Sequence, residues 1–383
     1  MKKIPTDPLA VKSLSYKVFL NRLKAKLEAG QRLPLCGQVE LTYRCNFRCV
    51  HCYQREVPPV RELDTKGWFR VLDQVAEAGC IYLTLTGGDP LVRKDFEDIY
   101  CYAIKKGFLV SLFCNGSLVT EGKADLIAEY PPRHVEVSLY GTTPETYEAV
   151  TGVAGGYKKT VDGIERLAKR GIPVHLKTAL LKETVSELNT MESFAASLGL
   201  SFRFDSFVHA GMNNDKTPTH HRLPPEKSVA QEATYPDFLE KLCGEREKLG
   251  PRVENKTKLY RCGAGRWFFG VDPEGNLRIC PTIVDPVFSL SKVSFNKAWE
   301  IFGQELERTF GDSPCAECTV IDLCSRCPGI ATIEVGDPCG ASLHFGEIAE
   351  YRAQLVGRKD RAHCLARAQV VAKRMVLPGE KRS

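Results

Sequence analysis

Leu41-Thr42-Tyr43-Arg44-Cys45-Asn46-Phe47-Arg48-Cys49-Val50-His51-Cys52-Tyr53-Gln54 sets three cysteines in a Cys-x3-Cys-x2-Cys spacing. Three thiolates so placed can hold three irons of a cubane cluster and leave the fourth iron open to chelate a ligand. Four cysteines would close the cluster for electron transfer alone. The triplet follows an apolar strand-like run, Gln38-Val39-Glu40-Leu41. It therefore falls in the loop leaving a first β-strand, where parallel α/β barrels carry their active-site loops. Short cysteine spacings also serve zinc sites and, in secreted chains, disulfide frameworks.

A second motif lies about one βα unit downstream. Thr84-Leu85-Thr86-Gly87-Gly88-Asp89-Pro90 ends a β-favouring run that begins at Ile81. Two glycines at a strand end let the backbone approach a ligand closely, with the adjacent carboxylate aimed at it. Together the two motifs resemble the radical S-adenosylmethionine (SAM) superfamily. That resemblance implies a [4Fe-4S] cluster on Cys45, Cys49 and Cys52, with SAM on the open iron. It also implies that the Gly87-Gly88-Asp89-Pro90 segment binds the SAM amino group, although Asp89 is one methylene shorter than the usual glutamate.

The chain has 383 residues, of which 43% are hydrophobic, enough for a substantial core and two or three domains. No run of eighteen apolar residues occurs, so no membrane helix is expected. The basic N-terminus lacks a continuous apolar segment and a small-residue cleavage site. With sixteen cysteines this points to metal ligation in a reducing compartment, the cytoplasm. Residues 1–35 carry eight Lys/Arg against two acids and residues 351–383 nine against two. Basic ends of this kind are solvated helix faces or docking sites for an acidic partner. They hold no base-stacking platform, so nucleic acid is not expected.

From 37 to about 205 strand and helix patterns alternate. Strands are read at 37–43, 81–86, 108–114, 133–139, 173–180 and 201–205. Helices are read near 65–79, 94–106, 120–129, 157–170 and 184–198, with Thr65, Thr120 and Thr143 as caps. Repeated βα units predict a parallel sheet. The fold class is α/β, and the resemblance implies a partial (β/α)6 TIM-like barrel. The division expected is a basic helical segment at 1–36, the radical SAM barrel at 37–208, a bridging segment at 209–256 with a helix near 226–242, a cysteine-rich unit at 257–345, and a basic helix and tail at 346–383.

Within the cysteine-rich unit, Cys262 is followed by Gly275 and Cys280, then by Cys315-x2-Cys318-x5-Cys324-x2-Cys327 and Cys339. Taken alone, the last set could be a zinc ribbon. The whole pattern resembles the SPASM domain, which holds auxiliary [4Fe-4S] clusters, with one residue too few before Cys327 and a short last interval. The resemblance gives Cys262, Cys280 and Cys327 to a first auxiliary cluster, with one iron lacking a cysteine. It gives Cys315, Cys318, Cys324 and Cys339 to a second, with Cys364 as the substitute for Cys339. Residues 266–276 are read as a β-hairpin whose turn brings Cys280 back near Cys262. Cys36, Cys80, Cys101, Cys114 and Cys243 are read as small core or loop residues.

A cofactor at the open iron needs polar groups at neighbouring strand ends. Asn115, Ser138 and Lys177 occupy those positions, and the resemblance implies contacts to ribose and carboxylate there, with adenine beside His51 and Tyr53. Arg203 and Asp205 are read as pointing to alternating faces, one of them lining the cavity. The implied activity is cleavage of SAM to a 5′-deoxyadenosyl radical that modifies a ribosomally made peptide through a thioether or carbon–carbon crosslink. A discrete peptide-carrier protein and a flavodoxin- or ferredoxin-type reductant are the implied partners. The alternatives are action on a protein side chain, as in sulfatase maturation, or on a tetrapyrrole, as in haem synthesis. A non-catalytic iron–sulfur or zinc protein is the remaining reading.

Overall fold

The computed structural model describes residues 29–54, 58–235 and 258–355, with isolated positions at 21, 23, 25, 26 and 238. Expectations for most of the N-terminal segment, for Cys243 and Cys364, for the second half of the 226–242 helix and for the tail beyond 355 fall outside these residues.

Six strands run parallel in chain order: β1 (Cys36–Glu40), β2 (Tyr82–Thr86), β3 (Leu109–Cys114), β4 (His134–Ser138), β5 (Val174–Ala179) and β6 (Ser201–Asp205). Between them lie α1 (Thr65–Glu77), α2 (Phe96–Lys105), α3 (Glu121–Glu129), α4 (Pro144–Thr151), α5 (Gly156–Lys169) and α6 (Leu188–Ser197). The strand period of two sorts the residues. Leu83, Leu85, Val110, Leu112, Val135, Val137, Val174 and Leu176 fall on one face and are buried in the main core. Phe113, Glu136, Ser138, Lys177 and Asp205 take the other face and line a cavity. This is a partial barrel with a polar interior.

The caps follow the sequence with one change. Thr120 and Thr143 accept from the backbone N–H three residues on, capping α3 and α4. For α1 the cap is Asp64, which accepts from Gly67 N, while the Thr65 hydroxyl donates to Asp95 at 2.7 Å. Helix α4 was not among the expected stretches.

The cysteine-rich part is joined to the barrel through its sheet. Strand β7 (Phe268–Val271) pairs parallel with β1, and β8 (Asn276–Arg278) and β9 (Val287–Ser289) add antiparallel. The result is one nine-stranded sheet, ordered β6-β5-β4-β3-β2-β1-β7-β8-β9. Phe269 is fully buried where β7 meets β1, against Phe295 and Trp299 of α8 (Phe295–Glu305). Helices α7 (Pro225–Glu232), α9 (Pro328–Val335) and α10 (Leu343–Leu355) complete the described elements. Arg222 pairs with Glu334 of α9, and Arg352 of α10 holds Glu232 of α7 at 2.6 Å.

Candidate functional site

The cysteine loop is held on two sides. Arg48 N and Val50 N donate to Thr151 O and Val150 O at the end of α4. On the other side Gly88 N donates to Thr42 O at 2.7 Å and Asp89 N to Arg44 O at 2.9 Å. The paired glycines permit this seam. A Cβ on Gly87 would lie 2.1 Å from Thr42 O, and one on Gly88 2.3 Å from Arg44 O. Gly87 also has φ +142°, a conformation that other residues rarely adopt. The glycine pair and the cysteine triplet are thus one structural unit.

Cys45, Cys49 and Cys52 line two cavities on either side of the loop. One, of about 510 Å³, opens past Tyr43, Arg44 and Pro58. The other, of about 360 Å³, lies over the C-terminal ends of the parallel strands and is bordered by His51, Tyr53, Gly87, Gly88, Asn115, Ser138 and Lys177 among others. The structure brings together all of these sequence-selected residues. The ring of His51 meets that of Tyr140 at 4.7 Å, and its Nδ1 is buried without a protein partner. Burial lowers its pKa to about 4, so the imidazole is neutral. Asn115 Nδ2 reaches Asn46 Oδ1 at 2.8 Å and Cys45 Sγ at 3.8 Å, so this side chain braces the cysteine loop.

Lys177 faces the cavity, with its ammonium 3.8 Å from both Glu136 and Asp205. Arg203 donates to Glu136 at 2.6 Å. Residues two apart on a strand share a face, so Arg203 and Asp205 point the same way. This corrects the alternating placement read from the sequence. Glu136, which joins Arg203 to Lys177, escaped the sequence reading, although it shares a strand face with Ser138.

Asp89 and Pro90 are placed elsewhere. The Asp89 side chain is fully buried, with one oxygen accepting from Leu91 N at 2.9 Å and the other from Asn115 N at 2.8 Å. Asp89 caps the short turn Pro90–Val92 and ties it to the end of β3. Burial raises its pKa to about 6 against these two hydrogen bonds. The carboxylate expected to meet the SAM amino group is thus spent on backbone N–H groups.

Among the described residues no two cysteines form a disulfide. In the C-terminal part, burial and the neighbouring Cys327 raise the pKa of Cys262, and burial, Cys327 and Cys262 raise that of Cys280. The Thr282 hydroxyl lies 3.5 Å from Cys280 Sγ and 3.7 Å from Cys327 Sγ. Cys315, Cys318 and Cys324 form a second mutually interacting set. Cys339 has Asp337, Arg326 and Arg308 as charged neighbours. Burial pushes the Cys45 thiol up to about 11 and those of Cys280 and Cys324 up to about 12, so ligation must displace their protons.

Among the described residues, no three His, Cys, Asp or Glu converge as the ligands of a single metal ion would. Three soft thiols around one cavity instead suit a cubane cluster, with His51 Nδ1 left as an unused polar atom beside it.

Residues 39–195 match the model of the radical SAM superfamily. The chain is 28% identical over 321 residues to mycofactocin maturase MftC of Mycolicibacterium smegmatis, covering 79% of this chain and 80% of that one. It is 26% identical over 323 residues to the AdoMet-dependent heme synthase of Methanosarcina barkeri, covering 78% and 92%. Streptococcus suis SuiB, in its crystal structure bound to S-adenosylmethionine, shares the fold with a TM-score of 0.65 at 15% identity, over 86% of this chain and 82% of SuiB. The superfamily implies SAM and a [4Fe-4S] cluster. Residues 39–195 are a radical SAM domain, and the protein that carries it is an enzyme.

Proposed function

We propose that this enzyme matures a ribosomally made peptide by forming a thioether or carbon–carbon crosslink. The observation that carries this reading is the match to a peptide maturase, which spans 321 residues and so runs well past the barrel. A fold shared with SuiB, whose crystal structure with the precursor peptide SuiA gives a TM-score of 0.65, adds support. A second reading, chemistry on a tetrapyrrole, is favoured by the match covering 92% of the heme synthase.

Cys45, Cys49 and Cys52 would hold the SAM-binding cluster. When bound, cluster and SAM supply a 5′-deoxyadenosyl radical able to take a hydrogen atom from a substrate C–H bond. The protein's own part is placement and protection. His51, neutral and packed on Tyr140, offers a ring edge beside the third cysteine. Ser138 and Lys177 present donors at adjacent strand ends. Glu136 and Asp205 hold the Lys177 ammonium toward the cavity without closing on it. Asp89 and Asn115 keep the β2 and β3 ends in register with the cysteine loop.

In this proposal the radical SAM barrel spans 37–208 and a SPASM-like unit spans 257–345. Cys262, Cys280 and Cys327 would hold one auxiliary [4Fe-4S] cluster, and Cys315, Cys318 and Cys324, with Cys339, would hold a second. With three cysteines the first would leave room for a substrate thiolate. A flavodoxin- or ferredoxin-type reductant supplies the electron, and a discrete carrier protein presents the peptide leader. Among the described residues no helix is long and apolar enough to cross a membrane, and we place the enzyme in the cytoplasm.

The test is anaerobic reconstitution with iron and sulfide, followed by SAM, dithionite and short peptides encoded beside the gene. Deoxyadenosine together with a peptide lighter by two hydrogen atoms per crosslink is the expected result. Deoxyadenosine with unchanged peptides, together with conversion of a haem-precursor tetrapyrrole supplied in a parallel reaction, would favour the second reading.

A further inference from the structure

A separate cavity of about 190 Å³ lies behind Tyr53 and Gln54, which also border the SAM-side cavity. Its opposite wall includes Arg278 and Pro281, the latter next to Cys280. The space is smaller than a cofactor site and is scaled to a single side chain. No step of the proposed function uses it.

Glu40, the last residue of β1, opens on this pocket and is 2% exposed. Its strand lies inside the sheet between β2 and β7. Gln54 Nε2 donates to Glu40 Oε1 at 2.6 Å, and the Tyr53 phenol is hydrogen-bonded to the same carboxyl. The titratable and charged groups around it are Tyr43 and Tyr53 from the cysteine loop and Asp272, Glu274 and Arg278 from the hairpin. Arg278 is committed to Asp272 at 2.7 Å, and Asp272 is itself 1% exposed. Glu40 therefore has hydrogen-bond donors to hold it in place but no cation of its own.

We propose that this pocket is a substrate subsite in which Glu40 is the base, taking the proton of a thiol side chain seated between Tyr53 and the hairpin. The inference rests on the peptide-maturase reading. In this step the S–H bond breaks and the proton moves to a Glu40 oxygen. The electron pair stays on sulfur, and nothing is oxidised or reduced. The resulting anion lies beside Pro281 and Cys280, on the auxiliary-cysteine side of the SAM cavity.

The ionisation of Glu40 suits the task. Burial, the largest influence, raises its pKa to about 7 against the pull of Arg278, while Asp272 adds to the rise. A base is most effective when its pKa lies near the working pH.

The test uses full-length, cluster-loaded protein. Infrared difference spectra without substrate should show, besides the Asp89 acid that titrates near 6, a buried carboxylic acid whose carbonyl band fades as the pH rises through about 7, and Glu40→Gln should remove that second band. N-acetylcysteinamide added near neutral pH should then restore the band in the wild type and lose its own S–H stretch. In Glu40→Gln the bound thiol should keep its S–H stretch. Glu40→Asp, which keeps the acid but shortens its reach, should retain a titrating band and bind the thiol about tenfold more weakly. A wild type without the band, or without a thiol-dependent change, overturns the inference. Loss of the S–H stretch in Glu40→Gln as well assigns the proton to iron ligation and also overturns it. Protein that gives both signals yet converts no precursor peptide counts against the peptide-maturase reading and for the base.

Discussion

Asp89 and Glu40 show how one residue type acquires a role from its surroundings. Both carboxyls are buried, and in both the loss of water outweighs the hydrogen bonds they accept, so their pKa values rise to about 6 and about 7. The unfolded chain releases these protons earlier, near the ordinary values of 3.8 and 4.5. Between about pH 4 and 7 these two carboxyls therefore bind more protons in the folded state than in the unfolded one, and their contribution to stability is lost as the pH rises. His51 and His344, which burial lowers to about 4, act in the opposite sense over the same range. Compared with wild type across that window, Asp89→Asn and Glu40→Gln should each lower the melting temperature most near pH 4 and least near pH 7. The Asp89 role was legible in its neighbours. Asp followed by Pro is a helix-cap signature, but the family pattern drew the reading toward the cofactor. Glu40 gave a weaker signal, a single acid inside an apolar strand run, and only tertiary structure shows what encloses it.

Elements with local signals were the most legible. The six parallel strands of the barrel lie within a few residues of where alternation and caps put them, because each βα unit carries its own periodicity. The addition of β7 to β1 was not legible, since the partners are more than 200 residues apart and parallel pairing leaves no mark in either strand. Two element-level predictions follow from close packing. Gly88→Ala puts a Cβ against Arg44 O and Tyr43 O, both backbone atoms. The cysteine loop must then move off β2, at a cost of about 1–3 kcal/mol. We expect deoxyadenosine formation to be lost and iron content to drop, as measured by chromatography and colorimetric iron assay. Phe269→Ala removes a fully buried ring at the β1–β7 junction, which should cost about 3–5 kcal/mol. Because the sheet is continuous, barrel and cysteine-rich part should melt together, and calorimetry should show one transition at a lower temperature.

For the whole molecule, the cysteines proposed as cluster ligands divide into a triplet after β1 and two sets beyond residue 257. Replacing Cys45, Cys49 and Cys52 together by Ala should abolish SAM cleavage, while iron bound by the C-terminal sets persists and is seen by electron paramagnetic resonance. Persistent deoxyadenosine production by the triple variant would contradict the assignment of the triplet.

The pairing of β7 with β1 also bears on how the chain tolerates rearrangement. The register Cys36↔Phe268 to Val39↔Val271 is written in backbone hydrogen bonds and in the burial of Phe269. The peptide link between residues 238 and 258 does not set that register. A covalent tether mainly raises the local concentration of its two ends. A chain nicked in that interval should therefore behave as a pair of complementing fragments, each supplying one edge of a shared ladder. Natural variants that lengthen or shorten the interval would leave the distance between the Cys45 triplet and the C-terminal cysteines unchanged.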